Sequence, residues 1–212
     1  MIVFDFEQAI HARLGIAGVR IDARSASSLA RYLTLLARWN RRINLTAFDL
    51  DRPADHAIDR LIVEPVLAAA DVRDRDHVVL DVGSGGGSPA LPLKIVLPHV
   101  RLRLIEARVR KSAFLREAVR ELNLDDVDVE TFRLERAGRP GLNGTVHAVT
   151  MRAVRADVEV FEGVRKLLVP DGRLLWFRDG TCADTVPPFP GWSESHVPDR
   201  RSSFLRVLTR VD

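Results

Sequence analysis

Apolar positions along the chain follow two regimes. Up to about residue 70 they recur every three or four places. Leu29, Tyr32, Leu33 and Leu36 form one stripe, and Ile58, Leu61, Ile62 and Val66 form another. That spacing predicts amphipathic helices. Ser25 or Ser27 is the candidate N-cap of the first, and the second spans about 54–69 with Pro65 as a kink point. From residue 77 short apolar runs alternate with helical stretches. Strands are predicted at His77–Val82, Val100–Glu106, Val127–Phe132, Val146–Arg152 and Arg173–Arg178. Helices are predicted at about 90–97, at Arg110–Leu122, and from a cap at Asp157 to about Val169. Phe114, Leu115, Ala118, Val119 and Leu122 share one face, as do Val160, Phe161, Val164 and Leu167. Pro170-Asp171-Gly172 reads as a turn, and the tail, about 193–198 and 203–210, supplies two more strands. Strands alternating with helices predict an α/β fold: a mostly parallel twisted sheet with helices on both faces. Residues 1–70 form an N-terminal helical extension, and residues 71–212 the α/β domain, one compact unit.

The first strand runs into Gly83-Ser84-Gly85-Gly86-Gly87-Ser88-Pro89, and a helix follows at once. Strand, glycine turn and helix build a Rossmann-like nucleotide pocket, because bare backbone approaches a ligand closely and the helix start offers unpaired N–H groups. A turn needed only for packing requires fewer glycines. Two acids refine the ligand. Asp81 stands at the end of the first strand, at the predicted pocket rim. Glu106 ends the second, 23 residues after Gly83. A carboxylate there accepts hydrogen bonds from both hydroxyls of a ribose. Glu106 alone suits NAD or S-adenosylmethionine. Asp81 suits the positive end of S-adenosylmethionine better than a pyrophosphate. The sequence has no Gly-x-x-x-x-Gly-Lys-Ser/Thr, which disfavours a P-loop NTPase.

Composition narrows the partners. The 212 residues carry 32 Lys and Arg against 29 Asp and Glu, a net charge of +3, and only three of the cations are lysine. Arginine favours bidentate contact with phosphate and carboxylate. Arg38, Arg41 and Arg42 surround Trp39 and precede Asn44; Arg110 and Lys111 open a helix, where the dipole disfavours cations. These six polar residues are candidate phosphate contacts, and become RNA-binding candidates under the family resemblance described next, against the plainer readings of a core Trp and a solvated helix start. Arg133 and Arg152 follow strand ends and are candidates for positioning a substrate or holding a cofactor carboxylate, against a reading as strand-end ion pairs. The single cysteine, Cys182, excludes a disulfide framework, and six histidines without ligand spacing argue against a metal. No apolar run suits a membrane span. The expectation is a cytoplasmic monomer.

The motifs, taken together, resemble a known family. Trp39-Asn40-x-x-Ile43-Asn44-Leu45-Thr46, His56-x-x-Asp59-x-Leu61 and Leu80-Asp81-Val82-Gly83-Ser84-Gly85-Gly86-Gly87-Ser88-Pro89 resemble the bacterial 16S rRNA guanine-N7 methyltransferases, first named glucose-inhibited division protein B. So do Arg110-Lys111-Ser112-Ala113-Phe114-Leu115-Arg116, Arg133-Leu134-Glu135 and Thr150-Met151-Arg152-Ala153. They stand in family order across roughly residues 35–178. The resemblance implies a Rossmann-like methyltransferase fold. It implies S-adenosylmethionine bound by Asp81, Gly83, Ser84, Gly85, Ser88, Glu106, Ala107, Leu134, Glu135 and Arg152. It implies small-subunit rRNA, free or in the ribosomal subunit, as the partner. The chain departs from the family at three places. Gly87-Ser88-Pro89-Ala90 stands where Gly-Phe-Pro-Gly is usual, His56-Ala57-Ile58-Asp59-Arg60 where His-Phe-x-Asp-Ser is usual, and Leu134 where a small residue is common.

Other chemistries fit less well. Guanine N7 has an in-plane lone pair and no proton, so its methylation needs alignment and no general base. Amino-group transfer calls for Asn/Asp-Pro-Pro-Tyr/Phe after the fourth strand, and Met151-Arg152-Ala153-Val154 stands there. Cytosine-C5 transfer needs a thiolate, and Cys182 follows the fifth strand instead of the fourth. Two alternatives stay open: a methyltransferase of the same fold acting on a small molecule or another RNA, and a non-catalytic RNA-binding module.

Overall fold

The computed structural model describes residues 4–134, 141–154, 157–178, 190–195, 201 and 203–211. Two helices begin the chain, α1 (Phe6–Ile16) and α2 (Ala23–Asn40). Asp22, not Ser25 or Ser27, caps α2: its carboxylate accepts from the Ser25 backbone N–H at 2.9 Å and the Ser25 hydroxyl at 2.7 Å. An anionic cap answers both the orphan N–H groups and the helix dipole, so it outcompetes a neutral serine nearby. The next helical segment is not uniform. It consists of α3 (Asp55–Ile58), a π-helical turn (Asp59–Val63), α4 (Glu64–Ala68) and a 3-10 turn (Ala69–Asp71). The expected disturbance by Pro65 takes the form of this π turn, which ends two residues before the proline. The Arg13 guanidinium of α1 grips it, with Asp59 at 2.8 and 2.5 Å and Asp55 at 3.0 Å.

Then come β1 (Val78–Val82), α5 (Ala90–Val96), β2 (Arg101–Ile105), α6 (Val109–Glu121), β3 (Val127–Glu130), β4 (Val146–Arg152), α7 (Val158–Leu167), β5 (Leu168–Phe177), β6 (Trp192–Ser195) and β7 (Leu205–Arg210). Asp157 caps α7 as predicted, accepting from Val160 N–H at 3.0 Å. The sheet order is β3-β2-β1-β4-β5-β7-β6. The first five strands run parallel, and β7 lies antiparallel to β5 and β6. Pro170-Asp171-Gly172 lies inside β5, not before it. The register to β4 jumps there from Val146–Leu168 to Ala148–Arg173, and Asp171 takes φ 59°. The predicted turn is thus a bulge.

Strand alternation divides the core between two faces. Val79, Leu102, Leu104 and Ala148 pack with the N-terminal helices, α5 and α6. Leu80, Ile105, Val149 and Met151 pack with Phe161, Val164 and Leu167 of α7. The N-terminal helices therefore share one apolar core with the sheet. Leu29, Tyr32, Leu33 and Leu36 are fully buried in it. The chain leaves β1 for β2 and β3, then returns to β4 on the other side of β1. A parallel sheet opens a crevice at such a reversal, at the carboxyl ends of its strands.

Candidate active site

The glycine turn fills that crevice. Backbone N–H groups of Gly83 and Ser84 both donate to the Ile105 carbonyl, at 2.9 and 3.0 Å, docking the turn on the end of β2. Ser84 is buried, and its hydroxyl donates inward to the Asp81 carbonyl at 3.2 Å. Space explains two of the glycines. Gly85 has φ 51°, and a Cβ there would meet no heavy atom closer than the Gly83 carbonyl oxygen at 3.6 Å and Lys111 Nζ at 4.0 Å. Gly86 is the opposite case: a Cβ would lie 3.0 Å from the Leu45 carbonyl oxygen and 3.2 Å from Leu36. The Gly86 carbonyl accepts the hydroxyl of fully buried Tyr32 at 2.7 Å. The N-terminal region thus backs the turn directly.

Two carboxylates flank the turn. Glu106 is 6% exposed, accepting from Gly85 N–H and Arg108 N–H, both at 2.8 Å. Each of its oxygens is aimed by one backbone bond and keeps further acceptor capacity. Its backbone carbonyl accepts the Ser112 hydroxyl at 3.1 Å. Asp81, expected at the rim, lies beneath the turn at 1% exposure. Its Oδ1 accepts the Thr150 hydroxyl at 2.6 Å, and its Oδ2 is buried with no hydrogen-bond partner. Burial pushes the Asp81 carboxyl up to about 7; the Thr150 and Ser84 hydroxyls and the Arg152 charge pull against this, and Glu106 adds to it. An orphaned buried acceptor at the foot of the turn, with an oriented carboxylate at Gly85, fits a ligand with a cationic end and a ribose.

A cleft of about 470 Å³ opens beside this pocket. Arg42, Ile43 and Asn44 line one wall, and Arg108, Val109, Arg110 and Lys111 the other. The second wall is the start of α6, which has no acid in its first turn and no side-chain cap. Asn40 shapes the first wall by accepting from Leu45 and Thr46 N–H at 2.9 and 3.0 Å. Of the six RNA candidates, Arg42, Asn44, Arg110 and Lys111 meet here. Arg38 lies outside the cleft, and Arg41 pairs with Asp51 at 2.5 Å. Trp39 packs edge-on against Phe114, centroids 5.8 Å apart, as core. Arg108 and Val109, the latter 71% exposed, escaped the sequence reading. The run Arg108-x-Arg110-Lys111 was the available signal.

Other expected site residues lie elsewhere. Arg152 does not face the pocket mouth. Its side chain is 12% exposed, paired with Glu64 at 2.8 Å, with the guanidinium carbon 4.6 Å from the Phe177 ring centroid. Burial lowers its pKa to about 10, against the attraction of Glu64. Ser88 faces the π turn, donating to the Leu61 carbonyl at 2.9 Å. Arg133 is exposed beyond β3, Leu134 packs partly buried on the α7 face, and Ala107 is exposed next to Glu106. Glu135 and Cys182 lie outside the described residues. The helical pair His56 and Asp59 divides: His56 sits against Phe48, centroids 5.4 Å apart, and Asp59 binds Arg13. Among the described residues no group of three or more His, Cys, Asp or Glu is placed to hold a metal ion. No helix of the described residues is long and apolar enough to cross a membrane.

Comparison with known proteins shows the fold and the family. Solved structures share the fold: a methyltransferase from Geobacter sulfurreducens, with TM-score 0.60 at 15% identity, covers 100% of this chain and 99% of that one. A SAM-dependent methyltransferase from Aquifex aeolicus, with TM-score 0.55 at 19% identity, covers 73% and 92%. Sequence relatives are nearer. "Ribosomal RNA small subunit methyltransferase G" of Roseiflexus sp. (strain RS-1) is 36% identical over 170 residues, 80% of this chain and 71% of that protein. The protein of the same name from Halorhodospira halophila (strain DSM 244 / SL1) is 37% identical over 183 residues, 85% and 82%. The family model described as "rRNA small subunit methyltransferase G" matches residues 25–186. The chain belongs to the GidB family of small-subunit rRNA methyltransferases.

Proposed function

We propose that this chain transfers a methyl group from S-adenosylmethionine to N7 of a guanine in 16S rRNA. One observation carries the reading: a glycine turn flanked by Asp81 and Glu106 adjoins a cleft walled by Arg42, Arg108, Arg110 and Lys111. When bound, S-adenosylmethionine supplies an electrophilic methyl on a sulfonium. Glu106, with acceptor capacity left on each oxygen, accepts from ribose hydroxyls, and the unpartnered Asp81 Oδ2, buried beneath the turn, balances the ligand's cationic end through its charge. Gly85 leaves the space that a side chain would fill. The cationic cleft is the place for the RNA backbone, since guanidinium forks match phosphate oxygens. Ile43 and Val109 give it an apolar patch against which a base can lie.

The chemistry asks little more. N7 presents a lone pair and no proton, so no residue has to act as general base. The chain holds two reactants in line and excludes water between them. Methylation places positive charge on the purine while the sulfonium loses its own. Asp81, the buried acid nearest this exchange on the reading above, offsets cationic charge without contacting the nucleophile.

Small subunits lacking N7-methylguanine, incubated with this chain and labelled cofactor, acquire the label at a guanine, read by base mapping. Label on no rRNA base contradicts the assignment. In the Arg42→Ala/Arg110→Ala variant, RNA affinity falls at least about tenfold, and the slope of log affinity against log salt becomes shallower by roughly 0.7–0.9 for each phosphate left unpaired. Cofactor affinity stays within about twofold by calorimetry; an unchanged salt slope removes the cleft from the RNA path. Cofactor affinity itself depends on pH. The folded pKa of Asp81 is raised to about 7, so the site is protonated at lower pH. A cationic ligand then has to expel that proton. Affinity falls towards tenfold per unit as pH drops below about 7 and levels off above it. Asp81→Asn binds weakly and without that dependence; a flat wild-type profile contradicts the role given to Asp81.

A further inference from the structure

Pro65 leaves a gap in the helical ladder. It has no N–H for the carbonyl four residues back, Leu61, or for the one five residues back, Arg60. The π register uses the Glu64 N–H on the Asp59 carbonyl, so it cannot serve Arg60. Side chains from the sheet's carboxyl end fill both places. The Ser88 hydroxyl, on the glycine turn, donates to the Leu61 carbonyl at 2.9 Å. Arg152 Nη1, at the end of β4, donates to the Arg60 carbonyl and, at 3.2 Å, to the Ser88 hydroxyl. Glu64 holds the guanidinium through Nη2 at 2.8 Å, and Arg60 Nη1 braces Glu64 at 3.1 and 3.2 Å while donating to the Arg178 carbonyl at 2.7 Å. Glu64 and Arg152 are each 12% exposed. Ser88 and Arg60 both take part in this one network.

We propose that Glu64 is a positioning residue: acting through Arg152 and Ser88, it locks the π turn to the glycine turn and so sets the cofactor pocket. The proposal rests on the reading of that turn as the S-adenosylmethionine site. Its logic is geometric. Ser88 closes the glycine turn five residues after Gly83, and its hydroxyl ties that end of the turn to the helical segment. Arg152 orients it from β4, the strand beside β1. Without the Glu64 charge the guanidinium keeps only carbonyl, hydroxyl and Phe177 ring partners, none of them anionic, and the Ser88 end of the turn loses its fixed position.

Thermal unfolding and calorimetric titration of the full chain with S-adenosylmethionine test this. Glu64→Gln keeps the shape and removes the charge, and binds cofactor at least about tenfold more weakly. Ser88→Ala, which deletes a half-buried hydroxyl, weakens binding about fivefold with little change in Tm. The double variant Glu64→Met/Arg152→Met replaces the buried pair by apolar chains, which restores Tm but not affinity. Wild-type-like affinity in Glu64→Gln or Ser88→Ala, within about twofold, overturns the proposal. So does affinity that recovers together with Tm in the double variant, since a purely structural pair behaves that way. If Glu64→Gln does not fold, Ser88→Ala decides alone. A wild type that binds no cofactor overturns the proposed function as well, which separates that failure from this one.

Discussion

The site depends on one hydrogen bond from a phenol that no solvent reaches. Tyr32 is fully buried in the N-terminal helices, and its hydroxyl finds its partner on the Gly86 carbonyl at 2.7 Å. A buried hydroxyl without a partner costs about 1–3 kcal/mol, so the helices and the glycine turn are bound to one another's placement. The close approach of Gly86 to the Leu45 carbonyl adds a steric condition to the same joint. Burial drives the Tyr32 pKa far upward, so the phenol stays a neutral donor. The helical region is therefore part of the pocket's wall.

From that wall the remaining parts follow. The turn is held behind by Tyr32 and Leu45, below by Ile105, and at its far end by Ser88 and Arg152. Its open side carries Gly85, with Glu106 alongside and Lys111 reaching in from the cleft wall. Fixed backbone and aimed carboxylates suit a reaction whose main demand is alignment. The loop made by Asn40 is what brings Arg42 and Asn44 opposite α6. On the proposed assignment, cofactor and RNA surfaces meet at one helix start.

Local patterns make much of this legible in the sequence. The period-2 and period-3.6 apolar stripes locate the helices and strands of the α/β part, because each side of the sheet buries a full set of alternating residues. The glycine run and Glu106 are legible because close backbone approach and the ribose recognition proposed for Glu106 call for those residue types. What stays hidden depends on partners distant in sequence. Asp81 reads as a rim residue, since nothing local reveals Thr150, 69 residues away, beneath the same turn. Arg152 reads as a pocket arginine because its partner Glu64 lies 88 residues earlier. Arg41 resembles Arg42 in the sequence, and only the loop's path gives one to Asp51 and the other to the cleft. Ser88 reads as a gap left by an aromatic, whereas Pro65 frees the carbonyl that a hydroxyl there satisfies.

The central claim is that the turn and its carboxylates form the cofactor pocket, distinct from the cleft beside it. Calorimetry on Glu106→Ala, run with S-adenosylmethionine and separately with small-subunit RNA, tests it most directly. Loss of one or more charged hydrogen bonds at about 1.5–3 kcal/mol each predicts cofactor affinity at least about tenfold weaker. RNA affinity stays within about twofold of wild type. Cofactor binding at wild-type strength, or an equal loss for both ligands, contradicts the account.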